Sequence, residues 1–245
     1  MAVYSKQYGR LGNNLFQKAA AIGYAMKHGL EYDISPWSGT ENINRGHPFY
    51  IKESGHHYQE VYFDPAIKHR NIVLDGYFQS EKYFAHCREE VIKAFGFPWE
   101  LKKGWCSIHV RRGDYLKYPD KHPVVSSYYM MQTPGMIAEK TGTTKFMIFS
   151  DDVDYCKRYY MPLADLWGYQ FEYSEGKTAE EDLILGSCCE HNIISNSTFS
   201  WWQAWLNQNP HKVVISPSKD NWFGPANKHL DTSNLIPDSW IHIKY

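Results

Sequence analysis

The second half of the 245-residue chain alternates short apolar runs with segments of helical periodicity, and this alternation predicts an α/β fold with a parallel sheet covered by helices. From residue 106 onward the predicted strands are followed by polar clusters, and open α/β sheets bind ligands beyond the carboxyl ends of their strands. We therefore expect a ligand-binding lobe at residues 101–245 and a first lobe at residues 1–100, with a C-terminal segment able to pack back on the first lobe.

In the first half, the pattern predicts a strand over residues 2–4, a tight turn over 9–14 and a helix over 15–26. Gly29 is placed to end this helix, because glycine readily adopts the left-handed conformation that follows many helices. Residues 36–70 are rich in Gly, His, Pro, Asn and Tyr, and their weak periodicity favours loops.

Later elements are marked by capping residues and breaks. Ser80 is placed to cap the helix that follows it. A helix is predicted over 126–140, although Pro134 is expected to break or kink it. Thr178 and Glu181 form a capping box for another helix. The remaining predicted strands are 106–110, 146–149, 169–173, 192–195 and 212–216, and the remaining helices are 155–166, 179–190 and one carrying Trp201, Trp202, Trp205 and Leu206.

Composition excludes several classes of function. A net charge of −1 provides no electrostatic surface for nucleic acid. The five cysteines form no C-x-x-C pair, which argues against a zinc site or a disulfide framework and favours reduced, buried thiols. There is no apolar N-terminal signal and no apolar stretch of membrane-spanning length. We expect a cytoplasmic protein without an integral membrane segment.

Its aromatic content of 16% provides rings for stacking on sugars or bases, although most are expected in the core.

Two adjacent arginines follow the strand predicted at 106–110. Guanidinium groups at a strand end require an anion or a carboxylate, and strand alternation directs Arg111 and Arg112 to opposite sides. The planar fork of arginine suits phosphate oxygens, which favours a pyrophosphate clamp; pairing within the fold, for instance with Asp114, is the alternative. We expect Arg112 to be the more sensitive of the two. His109 is either part of this site or a buried core histidine.

The start of a helix at Ser197, Thr198 and Phe199 is a second anion-binding feature. Backbone amides and the helix dipole favour negative charge there, and the two hydroxyls add donors. The alternative is an ordinary N-cap without a ligand. Beside the arginine pair, the two interpretations are compatible.

Two further motifs are ambiguous. Asp151 and Asp152 follow the strand at 146–149 and could accept hydrogen bonds from a ribose or a base, whereas Asp152 with Asp154 could bind a divalent metal. Asp152 could also simply cap the next helix. We expect no metal, because the arginines supply the positive charge. Gly12 and Asn13 resemble a phosphate-binding glycine turn, a weak signal in isolation.

Four segments together make the chain resemble the α-1,2-fucosyltransferase family of inverting, GDP-fucose-dependent glycosyltransferases. The arginine segment carries a His-x-Arg-Arg-x-Asp motif that related α-1,6- and protein O-fucosyltransferases share, and the last segment is the more specific one. FSDD at 149–152 also lies in the expected order. The four segments are GRLGNNLFQ at 9–17, LDGYFQ at 74–79, HVRRGDY at 109–115 and NIISNSTFSWW at 192–202.

The resemblance implies a GT-B-like fold of two Rossmann-like lobes with parallel sheets, the first lobe reduced in a chain of this length. It places the acceptor mostly in the first lobe and GDP in the second, in a bacterial- or viral-type enzyme that is cytoplasmic or peripheral to a membrane. The donor substrate is GDP-fucose and no separate cofactor is implied. Asn14 and Lys18 depart from the family pattern. The implied donor-binding residues are His109, Arg111, Arg112, Gly12, Asn13, Asp151, Asp152, Asn196, Ser197, Thr198 and Phe199.

The implied reaction transfers L-fucose from GDP-β-L-fucose to an oligosaccharide acceptor, at the 2-hydroxyl of a terminal β-galactoside, with inversion. Arg111 and Arg112 would stabilise the charge growing on the departing GDP. Asp114 is the nearest candidate base, and a dissociative path with little base assistance is open. Another GDP-sugar, a polysaccharide acceptor or a non-catalytic carbohydrate-binding protein are the alternatives. Candidate bases in the first lobe are Asp33, Glu53 and Asp75.

Overall fold

The fold is described from a computed structural model, which covers residues 2–35, 49–53 and 71–245. All strand pairings within these ranges are parallel, and helices connect many of the strands. The predicted α/β class with parallel sheets is therefore confirmed. In the part of the chain described, no helix combines the length and the apolar character needed to cross a membrane.

The first compact unit comprises Met1–Phe97 and Leu230–Pro237. It contains a four-stranded sheet in the order β2-β1-β4-β3. Its core forms where apolar side chains of β1 and β4 meet the alanine-rich face of helix α1. The strands are β1 Ala2–Ser5, β2 Glu31–Tyr32, β3 Phe49–Lys52 and β4 Ile72–Asp75, and the helices are α1 Leu11–His28 and α2 Arg88–Phe95.

Helix α1 begins earlier than the sequence indicated. The predicted turn is confined to Gly9, whose φ is 76°, and to Arg10 in an extended N-cap conformation. Gly12 and Asn13 consequently lie in the first helical turn, and Asn13 Oδ1 accepts a hydrogen bond from Gln79. The predicted glycine turn over these residues is therefore wrong. Gly29 ends the helix with a φ of 65°, as expected.

Other predictions for the first unit were partly met. Ser80 accepts a hydrogen bond from the Lys82 N–H, but it caps a short 3₁₀ turn, and helix α2 starts only at Arg88. Most of the predicted loop at 36–70 lies outside the described residues. Within it, however, β3 is a strand that pairs with β4.

The second unit comprises Pro98–His229 and Asp238–Tyr245 and contains a six-stranded sheet in the order β10-β9-β8-β5-β6-β7. The chain runs outward from β5 to β7 and then returns to the other side of β5, so the strand order reverses between β5 and β8. The strands are β5 Lys102–Val110, β6 Lys145–Ser150, β7 Gln170–Tyr173, β8 Cys189–Ile193, β9 Val214–Pro217 and β10 Ile241–Ile243, and the helices are α3 Ser127–Thr141, α4 Val153–Trp167, α5 Ala179–Cys188 and α6 Thr198–Leu206.

Alternation along β5 assigns its side chains to two different layers. Cys106, Ile108 and Val110 pack in a cluster with buried residues of α3 and α4. On β6, Met147 and Phe149 belong to a different cluster, which includes Leu185 of α5. Successive residues of β5 therefore face different helical layers, one on each side of the sheet.

Three predictions for the second unit need correction. Helix α3 continues through Pro134, and the Met130 carbonyl, which a proline cannot bond, makes a long 3.5 Å contact with the Tyr160 hydroxyl. Strand β8 ends at Ile193, so Ser195 lies in the loop before α6. Strand β10 was not predicted. The capping box of Thr178 and Glu181, in contrast, is confirmed.

Candidate functional site

Three polar segments meet at the carboxyl edge of the second unit's sheet, because β8, β5 and β6 are neighbours. Val110 pairs with Ser150, so the residues that follow them leave the sheet side by side. Ile108 pairs with Ile193, which places the loop before α6 on the other side of β5. The reversal of strand order between β5 and β8 makes this edge the expected ligand crevice.

Arg111 lies between two carboxylates. Its Nη1 is 2.7 Å from Asp151 Oδ2 and its Nη2 is 2.5 Å from Asp114 Oδ1. The guanidinium also lies over the ring of Tyr115, 5.5 Å from its centroid. The Tyr115 hydroxyl donates to the Asn196 carbonyl at 3.0 Å, so the ring next to Arg111 contacts the loop before α6, while Asp151 ties the same guanidinium to the end of β6.

Arg112 contacts the start of helix α4 instead. Its Nε donates to Asp152 Oδ2 at 3.0 Å, and its guanidinium lies 3.4 Å from the ring centroid of Tyr155. These contacts leave both terminal nitrogens of Arg112 without a hydrogen-bond partner among the described residues. The two arginines therefore contact different partners, as predicted, although both lie beyond the last residue of β5, and both have the carboxylate partners of the alternative interpretation.

Asp151 connects the two arginine positions. It pairs with the side chain of Arg111 and accepts a 2.8 Å hydrogen bond from the backbone N–H of Arg112. Gly113 makes this approach possible, because a methyl group there would overlap the Asp151 carboxylate. Glycine at position 113 of the arginine motif therefore leaves room for the Asp151 carboxylate.

Asp152 has the contacts of a capping residue. It accepts a 3.1 Å hydrogen bond from the Tyr155 N–H at the start of α4, and its own N–H donates to Ser150 Oγ. Burial acts to raise the pKa of Asp152, but hydrogen bonds from Arg112 and the Tyr155 N–H, together with the Arg112 charge, lower it below its usual value. Within the described ranges, no group of three or more His, Cys, Asp or Glu side chains could hold a metal ion.

The loop between β8 and α6 is held from several directions. The Asn196 side-chain amide donates to the carbonyls of Pro123 at 2.8 Å and Trp222 at 3.0 Å. Ser197 caps α6 by accepting a 3.3 Å hydrogen bond from the Phe199 N–H, and Thr198 is the first helical residue. Ser197 is therefore the N-cap of α6, and the helix start lies at the same sheet edge as Arg111.

His109 is buried beside this loop. Its Nδ1 lies 2.8 Å from Ser195 Oγ, and its ring lies 5.3 Å from that of Phe199 in the first turn of α6. Burial, followed by the nearby charge of Arg111, lowers the pKa of His109 to about 3. The imidazole is therefore neutral near pH 7.

Three residues of the site were not singled out from the sequence. Tyr115 and Tyr155 provide the ring faces for the two guanidiniums, and Ser195 contacts His109. The aromatic residues that follow the arginine and aspartate motifs were the available signal for the tyrosines. No sequence signal indicated Ser195, because its partner lies 86 positions away.

The tryptophans of helix α6 belong to the core. Trp201 and Trp202 have no exposed surface and Trp205 has 3%, and their rings pack against one another. Rings buried in this way cannot stack on a sugar in solvent. The motif is thus a packing element that anchors the helix carrying the site.

The parallel sheet places arginines, hydroxyls and a helix start at its switch point, which is where open α/β sheets commonly bind anionic ligands. Residues 65–243 match the family model described as Glycosyl transferase family 11, which covers well over half of the chain. The chain belongs to this family, and the resemblance to α-1,2-fucosyltransferases is confirmed.

Several curated proteins are similar to the chain. It is 38% identical over 140 residues to the O-antigen biosynthesis glycosyltransferase WbnK of Escherichia coli, covering 56% of this chain and 44% of that protein. It is 28% identical over 183 residues to an alpha-1,2-colitosyltransferase of Escherichia coli, covering 69% and 61%. It is 25% identical over 167 residues to human galactoside alpha-(1,2)-fucosyltransferase 1, covering 58% and 44%. The chain thus spans about half the length of the curated relatives it matches.

Among solved structures, a mutant of Arabidopsis thaliana FUT1 in complex with GDP gives a TM-score of 0.49 at 11% identity, covering 88% of this chain and 70% of that one.

Proposed function

We propose that the protein transfers L-fucose from GDP-β-L-fucose to the 2-hydroxyl of a terminal β-galactoside, with inversion. One observation carries this proposal: Arg111, His109 and the start of α6 converge at the switch point of a parallel sheet in a chain of glycosyl transferase family 11. The names of the human and bacterial relatives support the α-1,2 linkage and the galactoside acceptor.

In this proposal the diphosphate lies between the start of α6 and Arg111. Helix N-termini favour anions, and a guanidinium can stabilise the charge that develops on departing GDP. Arg111 takes the role that the sequence suggested for Arg112, because its guanidinium lies over Tyr115, whose hydroxyl donates to the β8–α6 loop. Arg112, with Asp152, then forms the wall on the α4 side, where its two terminal nitrogens are available to the donor.

The carboxylates have a positioning role in this proposal. Asp114, Asp151 and Asp152 face two guanidiniums, so the cluster carries more negative than positive groups before the donor binds. The carboxylates hold Arg111 and Arg112 in fixed orientations, which lowers the cost of ordering them when a diphosphate arrives. Asp114 is paired with Arg111, so it fits this positioning role better than the role of general base. The reaction then follows a dissociative path that needs little base assistance.

The decisive experiment is incubation of the protein with GDP-fucose and an array of β-galactosides, with products identified by mass and by NMR of the new glycosidic linkage. An α-L-fucosyl residue on the galactose 2-hydroxyl supports the proposal. GDP release without a fucosylated product, or an added sugar at another hydroxyl, contradicts it. The matched control is the same reaction with Arg111→Lys, which separates this activity from that of a contaminant.

A second candidate donor is an activated colitose, since the chain matches an alpha-1,2-colitosyltransferase over 69% of its length. Competition between fucose and colitose donors in one reaction distinguishes the two candidates. A preference for colitose would change the substrate while leaving the site assignment intact. A non-catalytic sugar-binding role through the tryptophan-rich segment is disfavoured, because those rings are buried.

A further inference from the structure

Ser195 makes a contact that neither the family motif nor the proposed reaction explains. It is fully buried in the loop between β8 and α6, one residue before Asn196. Its hydroxyl lies 2.8 Å from Nδ1 of His109, across the boundary between β5 and β8. A polar side chain in such a position must satisfy its own hydrogen bonds, and it also decides how its partner is protonated.

The surrounding hydrogen bonds decide the direction of this contact. Ser200 Oγ lies 3.2 Å from the Ser195 carbonyl and 3.1 Å from the Ser197 carbonyl, so its single proton is directed to these acceptors. The other neighbour of the Ser195 hydroxyl is Ser200 Oγ at 3.5 Å, a long contact. We assign the Ser195 proton to the 2.8 Å contact with His109, because this distance suits a hydrogen bond far better than the 3.5 Å distance to Ser200 Oγ.

A histidine that accepts at Nδ1 carries its proton on Nε2 when it is neutral. None of the described residues provides a hydrogen-bond partner for Nε2 of His109. The ring packs against Phe199, in the first turn of the helix whose start forms the anion site. An N–H at this position can donate to an anionic ligand without introducing a second full charge beside Arg111.

We propose that Ser195 is a positioning residue that holds His109 in the tautomer protonated at Nε2, so that this N–H donates to the diphosphate of the sugar donor. The inference rests on the proposed function for the identity of the ligand. The tautomer itself is a property of the protein before any ligand binds. The low pKa of His109 agrees with this assignment, because the ring remains neutral throughout the physiological range.

The first test measures the tautomer directly. Protein labelled with ¹⁵N at its twelve histidines is examined by long-range ¹H–¹⁵N NMR, and the His109 signals are assigned by their loss in His109→Gln. We expect wild-type His109 to show a protonated Nε2 and an unprotonated Nδ1. A proton on Nδ1 in the wild type overturns the proposal, whatever the variants do.

The second test compares Ser195→Ala with Ser200→Ala, which removes an equally buried hydroxyl from the same loop and helix start. In Ser195→Ala we expect intermediate ¹⁵N shifts for both ring nitrogens. We also expect a GDP affinity about tenfold weaker by calorimetry, because His109 is no longer held with its Nε2–H available to the diphosphate. In Ser200→Ala the His109 tautomer should be unchanged and the GDP affinity should stay within about twofold.

Failure of this inference and failure of the proposed function give different results. If Ser195→Ala leaves both the tautomer and the GDP affinity unchanged, the positioning role is wrong while the function stands. If wild-type protein does not bind GDP but shows the Nε2 tautomer, the donor assignment is wrong and so is the role of His109 toward it. Ser195→Thr, which retains a hydroxyl, should restore the wild-type spectrum if the hydroxyl rather than the packing is responsible.

Discussion

Exchanging each arginine for lysine separates the roles of two adjacent residues by the same chemical change. Arg111→Lys and Arg112→Lys both keep the positive charge and lose the planar fork. The structure gives Arg111 contacts with Asp114 and Asp151, and a single ammonium group is not expected to keep both geometries. Arg112 has one carboxylate contact and lies against Tyr155. We therefore expect Arg111→Lys to be the more damaging of the two for catalysis.

The magnitudes follow from these contacts. A charge-assisted hydrogen bond is worth about 1.5–3 kcal/mol, and partial exposure of the partners reduces the expected loss of stability in Arg111→Lys to about 1–2 kcal/mol. For a chain of this size that corresponds to a fall in Tm of roughly 2–8 °C. Loss of a donor aimed at developing negative charge lowers kcat by about 100- to 1,000-fold. Arg112→Lys loses mainly the stacking and one hydrogen bond, so we expect the donor KM to rise by less than about tenfold.

The assay is GDP release from GDP-fucose with a β-galactoside acceptor, with kcat and KM measured separately and Tm followed by circular dichroism. If Arg112→Lys loses more kcat than Arg111→Lys while both proteins remain folded, the assignment of Arg111 to the diphosphate is wrong. If Arg111→Lys retains nearly full turnover, both the clamp and its position are wrong. Unfolding of Arg111→Lys at assay temperature would show that its carboxylate pairs serve stability above all, and the assignment would again fail.

Three other predictions concern the same site. Thr198→Ala should weaken GDP binding severalfold in calorimetry with little change in Tm, whereas Ser197→Ala should also lose about 1 kcal/mol of stability because it removes the cap of α6; equal Tm values for the two variants would contradict this. Gly113→Ala should reduce kcat/KM at least tenfold, because its methyl group displaces Asp151; unchanged kinetics would show that the Asp151 contacts are dispensable. Activity should persist in excess EDTA, and a loss that manganese restores would favour the metal-binding alternative.

Local sequence signals predicted the features that depend on neighbouring residues. The capping box at Thr178 and Glu181 and the left-handed glycine after α1 were correct, because both act within one helical turn. The strand at 146–149 was located because buried parallel strands are continuous apolar runs, and the strand at 106–110 was located by apolar residues at every second position. Arg111 and Arg112 also diverge as predicted, but the strand ends at Val110, so the alternation of strand residues is not the reason.

Tertiary contacts overrode local propensity elsewhere. The Gly12–Asn13 segment is a poor helix start by propensity, yet it is helical, with Asn13 bonded to Gln79 and Gln17 Oε1 accepting from the Tyr8 N–H. Pro134 lies within α3, and the carbonyl that proline leaves unbonded lies 3.5 Å from the Tyr160 hydroxyl of another helix. The residues next to Gly12 and Pro134 in the sequence do not reveal these contacts, because the partners lie in other segments of the chain.

The sequence alone determined which residue types form the site, and the tertiary structure decided how they are arranged. Arginines, aspartates and a serine–threonine helix start were all visible as motifs at strand ends. That these motifs meet at one edge depends on β8 being the neighbour of β5 and on β6 lying on the other side, an order that sequence spacing does not encode. For the same reason, the contact between His109 and Ser195 emerges only when two strands distant in sequence are paired.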